Sequence, residues 1–188
     1  MIEAFTVSLA AIFASEIGDK TQLLAIMLAA RFKRPWPIML GIAVATLANH
    51  SIAGAVGAWL RLHLGASLMR WCLGASFLLA AAWVLQPDRA DDNPAPVGRF
   101  GVFGITVTSF FLAEMGDKTQ LATLMLAAKY PSLLAVVAGT TAGMLLADVP
   151  AVFLGHFAAE KIPFKAVRIV AAGVFAALGV LTLLASSA

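Results

Sequence analysis

One charged sequence pattern occurs twice in this chain of 188 residues, and each copy lies inside a long apolar run. The first copy reads EIGDKTQL from Glu16, and the second reads EMGDKTQL from Glu114, 98 positions later. The same shift, without a gap, relates further residues along the chain: Gly41 to Gly139, Gly57 to Gly155, Arg70 to Arg168 and Phe77 to Phe175. The chain therefore consists of two copies of one unit.

The composition is typical of an integral membrane protein. Hydrophobic residues make up 61% and charged residues 12% of the chain, with a mean hydropathy of +0.92, whereas soluble domains carry about twice that charge. A chain of this length holds roughly six membrane-spanning helices. Hydropathy predicts an all-α protein with six spans, near residues 3–30, 37–60, 66–85, 100–128, 132–157 and 164–186.

The predicted domain organisation is a first three-helix repeat (1–85), a polar linker (86–99) and a second three-helix repeat (100–188). Because three is odd, the second repeat must enter the membrane from the opposite side, which predicts an inverted pair of the kind that transporters use. The side richer in basic residues should be cytoplasmic. The loops on that side contain Arg31, Lys33, Arg34, Arg89, Arg99, Lys161, Lys165 and Arg168. The loops on the other side contain Arg61, Arg70 and Lys129. Both termini would then face outward.

Five acidic residues fall within the predicted spans: Glu16, Asp19, Glu114, Asp117 and Asp148. Each such charge costs about 2.5 to 3.5 kcal/mol at the centre of a bilayer, so they are expected to face each other, water or a cation. On an ideal helix the first two form one polar stripe with Lys20 and Gln22, and the second repeat has the same stripe with Lys118 and Gln120. On an ideal helix Thr21 and Thr119 point away from these stripes, so they are expected to bond backbone carbonyls rather than a metal unless the helix is distorted there.

The two lysines can serve as structural partners of the carboxylates, but two lysines against five acids leave three negative charges. A purely structural network has no need of that surplus, whereas a divalent cation and protons would balance it. Carboxylate and amide oxygens without a thiolate or histidine cluster favour hard ions such as manganese, calcium or magnesium. No prosthetic group is predicted.

The second span of each repeat carries further polar residues whose roles stay open. Asn49 and Asp148 are candidate oxygen ligands, or else they bond neighbouring helices. His50 is a candidate proton relay, or else a hydrogen bond between helices. Gly18 and Gly116 permit either close helix packing or a local break in the helix.

The paired EIGDKTQ and EMGDKTQ segments resemble the Glu-x-Gly-Asp-Lys-Thr/Ser motif of the Golgi manganese/calcium transporter family, over essentially the whole chain. The resemblance implies an exchanger of divalent cations for protons, with cation binding by Glu16, Asp19, Glu114 and Asp117. It also implies a bacterial manganese exporter, with calcium as the alternative ion. The expected location is a bacterial inner membrane with periplasmic termini.

Two other functions are compatible with the same acidic lining. An intramembrane hydrolase would need a nucleophile with its base, or an open catalytic metal site, and no Ser-His or His-Glu-x-x-His arrangement occurs in the sequence. A passive cation channel would share the acidic residues. The expected partners are a divalent cation, protons and the lipid bilayer, without nucleic acid. A monomer can suffice, and a homodimer is compatible with the sequence.

Overall fold

A computed structural model describes residues 1–85, 101–154 and 164–184, and this part of the chain is all-helical. The predicted linker, residues 86–99, lies outside the described residues, as does the end of the predicted fifth span. The described helices are α1 (Ile2–Glu16), α2 (Lys20–Phe32), α3 (Pro35–His63), α4 (Ala66–Val84), α5 (Gly101–Glu114), α6 (Lys118–Lys129), α7 (Leu133–Leu154) and α8 (Phe164–Leu184).

Hydropathy predicted one helix for the first span of each repeat, but the structure has two helices there. The break falls inside the charged motif, between α1 and α2 in the first copy and between α5 and α6 in the second. At each break a glycine takes a positive φ, 82° at Gly18 and 76° at Gly116, which right-handed helices exclude. A Cβ added at Gly116 would meet no atom within 4 Å. The backbone conformation, rather than close packing, therefore accounts for glycine at this position.

The helices recur at the spacing of the sequence repeat. The starts of α2 and α6 (118 − 20), of α3 and α7 (133 − 35) and of α4 and α8 (164 − 66) each differ by 98 residues. Each half therefore has the same order of described elements, namely a broken helix followed by two further helices.

The two halves pack crosswise. α1 contacts α7 and α5 contacts α3, so that the broken helix of each half lies against the second helix of the other half. A glycine marks each contact, because a Cβ at Gly41 would lie 2.6 Å from the Thr106 Cβ, and one at Gly139 would lie 3.0 Å from the Ser8 Cβ. The third helices, α4 and α8, pack together through the equivalent rings of Phe77 and Phe175, whose centroids are 6.4 Å apart.

The outer surface of α3 is apolar along its whole length. Its exposed large hydrophobic residues recur from the start to the end of the helix: Trp36, Leu40, Val44, Leu47, Ile52, Val56 and Trp59. An exposed apolar surface of this length is typical of a helix in contact with lipid. By length and composition, two of the described helices are long and apolar enough to cross a membrane, Pro35–His63 and Leu133–Phe153.

Candidate cation site

Three buried carboxylates converge where the two broken helices meet. Glu16, Asp19 and Asp117 each offer an oxygen that lies within 4.8 Å of the others. Glu16 is the last residue of α1, whereas Asp19 and Asp117 directly precede α2 and α6. Donor atoms at this spacing can bind one cation together, and carboxylate oxygens suit hard divalent ions.

Two ion pairs connect the halves reciprocally. Lys20 Nζ lies 3.0 Å from Asp117 Oδ1, and Lys118 Nζ lies 2.8 Å from Asp19 Oδ1. The 98-residue shift relates the two lysines to each other and the two aspartates to each other. The lysines therefore do pair with carboxylates, but each pairs with the carboxylate of the opposite half rather than with its own neighbour. The Lys118 side chain is 4% exposed and that of Lys20 is 26% exposed.

The two glutamines of the motif stabilise the breaks. Gln22 Oε1 accepts a hydrogen bond from the Gly18 amide at 2.9 Å, and Gln120 Oε1 accepts one from the Gly116 amide at 2.8 Å. Neither aspartate carboxylate accepts a capping hydrogen bond from an amide of its own helix. Because the glutamines satisfy amides that the break exposes, the carboxylates stay available to the lysine of the opposite half or to a cation.

Thr21 contacts the acidic cluster directly. Its hydroxyl donates to Glu16 Oε2 at 2.6 Å, so the prediction that it points away from the acids is wrong. That prediction assumed an ideal helix through Gly18, whereas the turn there brings the first residues of α2 back toward the end of α1. The equivalent hydroxyl, that of Thr119, is buried without a hydrogen-bond partner among the described residues. The predicted bond to a backbone carbonyl is therefore not found for it.

Glu114 has a different environment from Glu16, its equivalent. The Thr46 hydroxyl, on α3 of the opposite half, donates to Glu114 Oε1 at 3.5 Å. His50, one turn further along α3, places Nε2 3.7 Å from Glu114 Oε2. Thr46 is a residue of this site that was not expected from the sequence. Its spacing of four residues from His50, which puts both on one face of a helix, is the signal that could have indicated it.

Asp148 and Asn49 are also buried. Both carboxylate oxygens of Asp148 lack a hydrogen-bond partner in the described part of the chain. Asn49 donates its amide to the Phe111 carbonyl at 3.1 Å, while its Oδ1 has no partner among the described residues. All five acidic residues singled out in the sequence are at most 2% exposed.

Comparison with known proteins identifies the family. The model of the family described as "Divalent cation/proton antiporter GDT1" matches residues 4–92 and again residues 102–188. The chain belongs to the GDT1 family. Among its relatives is a Vibrio cholerae serotype O1 protein named "Putative manganese exporter", which is 42% identical over 183 residues, covering 97% of this chain and 91% of the relative. A GDT1-like protein of Synechocystis sp. is 31% identical over 191 residues, covering 90% and 91%.

No solved structure matches the chain. GDT1 membership nevertheless establishes the class of activity, which is exchange of a divalent cation for protons across a membrane. It confirms the family expected from the paired motifs. The two separate matches of one family model fall on the two halves of the sequence repeat.

Proposed function

We propose that this GDT1 protein exports manganese from a bacterial cell in exchange for protons, with the ion bound between the halves by Glu16, Asp19 and Asp117. The observation that carries the proposal is the convergence of these three buried carboxylates within 4.8 Å. Glu114, Asp148 and Asn49 complete the polar surroundings of the ion. Lys20 and Lys118 hold the two aspartates until the cation competes for them, while Gln22, Gln120, Thr21 and Thr119 support the site. The site has no catalytic role.

The architecture proposed for transport is two inverted three-helix repeats, 1–85 and 100–188, related by a pseudo-two-fold axis in the membrane plane. Reciprocal contacts support this architecture. Under a two-fold axis, a contact between two residues of different halves occurs a second time between the equivalent residues with the halves exchanged. The ion pairs, the glycine contacts of α3 and α7 and the Phe77–Phe175 contact all have this property.

A contact at one end of the bundle supports the opposite direction of the two repeats. The Tyr130 hydroxyl, just after α6, lies 3.3 Å from Glu3 Oε1 at the start of α1. The end of α6 in the second half therefore lies beside the start of α1 in the first half. Equivalent helix pairs that run in opposite directions have this arrangement, as inverted repeats require. Burial, and then the Glu3 carboxylate, raise the pKa of Tyr130 above its ordinary value, so its hydroxyl stays protonated and donates this bond.

The proposed mechanism is competition between the cation and protons for one set of oxygens. Metal ligation requires ionised carboxylates, so a cation that binds must displace protons, and protons that bind must displace the cation. An inward proton gradient would load the site from outside, and release of those protons into the cytoplasm would free it for a metal ion. The inverted halves supply two related gates, one on each side of this site.

We place the protein in the bacterial inner membrane with both termini outside and the 86–99 linker in the cytoplasm. The basic residues that favour this orientation include Arg31, in the last turn of α2, and Lys33 and Arg34, between α2 and α3. Manganese is preferred over calcium because the Vibrio cholerae relative carries manganese in its name. A monomer contains both halves of the site, so the proposal needs no second copy.

The test is transport by the purified chain in vesicles that enclose a pH-sensitive dye. Manganese, calcium and magnesium are added separately, each with and without a proton gradient. Proton movement driven by manganese, and weaker movement with calcium, is the expected result. Manganese flow without proton movement would indicate a channel, and exchange that prefers calcium would contradict the proposed cargo.

A further inference from the structure

His50 occupies one of the buried positions next to the site at which the two halves differ. The 98-residue shift carries His50 to Asp148, so an imidazole occupies the place in one half that a carboxylate occupies in the other. His50 is 0% exposed, and neither ring nitrogen has a hydrogen-bond partner among the described residues. Burying a polar group without a partner costs free energy. A ligand that satisfies the imidazole would remove this cost.

The environment of Glu114 indicates what kind of ligand this is. Its Oε2 faces His50 Nε2 across 3.7 Å, which is longer than a hydrogen bond, and Oε2 likewise lacks a hydrogen-bond partner in the described residues. Two donors bound to the same metal ion each lie about 2.0 to 2.6 Å from it. A separation of 3.7 Å between the donors is therefore compatible with one ion held by both. Thr46 orients the other oxygen of Glu114.

The two glutamates of the motif are also held differently. Glu16 accepts a hydrogen bond from Thr21 of its own half and lies with two aspartates, whereas Glu114 accepts one from Thr46 of the opposite half and lies against His50. Equivalent positions in the sequence repeat thus have different donor sets, oxygen alone around Glu16 and nitrogen with oxygen around Glu114.

We infer that His50 and Glu114 form a second cation subsite with mixed nitrogen and oxygen donors, and that the His50 nitrogen makes the transporter prefer manganese over calcium. This inference rests on the proposed manganese export. Calcium is bound by oxygen ligands. Manganese also prefers oxygen, but as the first member of the divalent transition-metal series it accepts an imidazole nitrogen beside oxygen ligands more readily than calcium does. Asp148, at the equivalent position, offers oxygen only and makes no such distinction.

The direct test is pulsed electron paramagnetic resonance of the purified full-length chain loaded with Mn²⁺, which detects nitrogen bound to manganese. The variant His50→Gln removes the imidazole and keeps a polar side chain. His63→Gln is the matched control, because His63 is exposed, lies 2.8 Å from the Trp59 carbonyl through Nδ1 and stacks on the Trp59 ring. Transport of manganese and of calcium is measured in vesicles for the same proteins.

The expected result is nitrogen coupling in the unmodified chain and in His63→Gln, and its loss in His50→Gln. The ratio of manganese to calcium transport should fall about tenfold in His50→Gln, which corresponds to about 1.4 kcal/mol, with calcium transport retained. If His50→Gln does not fold, His50→Asp, which copies the residue of the other half, serves instead with the same expectation. Nitrogen coupling that is absent from the unmodified chain, or an unchanged ratio, overturns the inference. Manganese exchange without nitrogen coupling contradicts the subsite alone, whereas no manganese exchange at all contradicts the proposed function.

Discussion

Replacing Glu16 with glutamine tests the three-carboxylate site most directly. The substitution keeps the size of the side chain and an oxygen that can accept the Thr21 hydrogen bond, but it removes one of three negative charges within 4.8 Å of one another. At about 4 Å and an effective dielectric constant of about 20, two unit charges interact by about 4 kcal/mol. Part of this is offset, because the less charged site has less hydration to lose on binding. We therefore expect manganese to bind about a hundredfold more weakly, a loss of about 3 kcal/mol.

The measurement is calorimetric titration of the purified variant with Mn²⁺, followed by exchange in vesicles, where proton movement should disappear. Glu3→Gln is the matched control, since it neutralises an exposed glutamate of the same helix that contacts Tyr130 at the end of the bundle. It should bind and exchange manganese like the unmodified chain. Unchanged manganese affinity in Glu16→Gln, or an equal loss in both variants, would refute the placement of the ion.

Four further predictions concern the charges and the topology. Lys118→Met should destabilise the protein by about 3 to 5 kcal/mol, because it removes the buried lysine that pairs with Asp19. Lys20→Met should destabilise it less, since the Lys20 side chain is more exposed. Thermal unfolding of both variants in detergent measures the difference, and equal losses of stability would contradict it. Manganese binding should release protons and strengthen as the pH rises from about 6 to 8; titration in buffers of differing ionisation enthalpy counts the protons, and a count of zero would favour a channel. A C-terminal fusion to a reporter that is active only outside the cytoplasm should be active, because the C-terminus is expected outside. Activity of a reporter that works only in the cytoplasm would contradict this topology. Exchange should be electrically neutral, with two protons per divalent cation. A rate of manganese exchange in vesicles that changes with an imposed membrane potential would exclude this ratio.

The sequence repeat predicted much of the described architecture. Because the 98-residue shift has no gap, it anticipated the spacing between equivalent helices, and hydropathy indicated α3 and α7 as apolar spans. The acidic residues could be selected because charges in apolar helices are costly unless they are buried with partners. The structure buries all five of them. Their roles as ligands stay predictions.

The break inside each motif could not be predicted with the same certainty. Hydropathy continues across Gly18 and Gly116, so the pattern of a single long span persists although the backbone turns. Angles on an ideal helix then placed Thr21 on the wrong side of Glu16. The pairing of each lysine with the opposite half was also beyond the sequence, because a repeat gives equivalent positions but not which of them meet.

The charges of the site explain why exchange, rather than flow of one ion, suits this structure. With Asp19 and Asp117 each paired to a lysine, the buried carboxylates that stay uncompensated within the described part of the chain are those of Glu16, Glu114 and Asp148 if His50 is neutral. Three buried negative charges without counterions are too costly to enclose during a change of access from one side to the other. Three protons neutralise them, and so do one divalent cation and one proton. Moving between these two neutral states exchanges two protons for one cation. The empty ionised state would allow either ion to leak, but it is high in free energy because three negative charges stay buried without counterions.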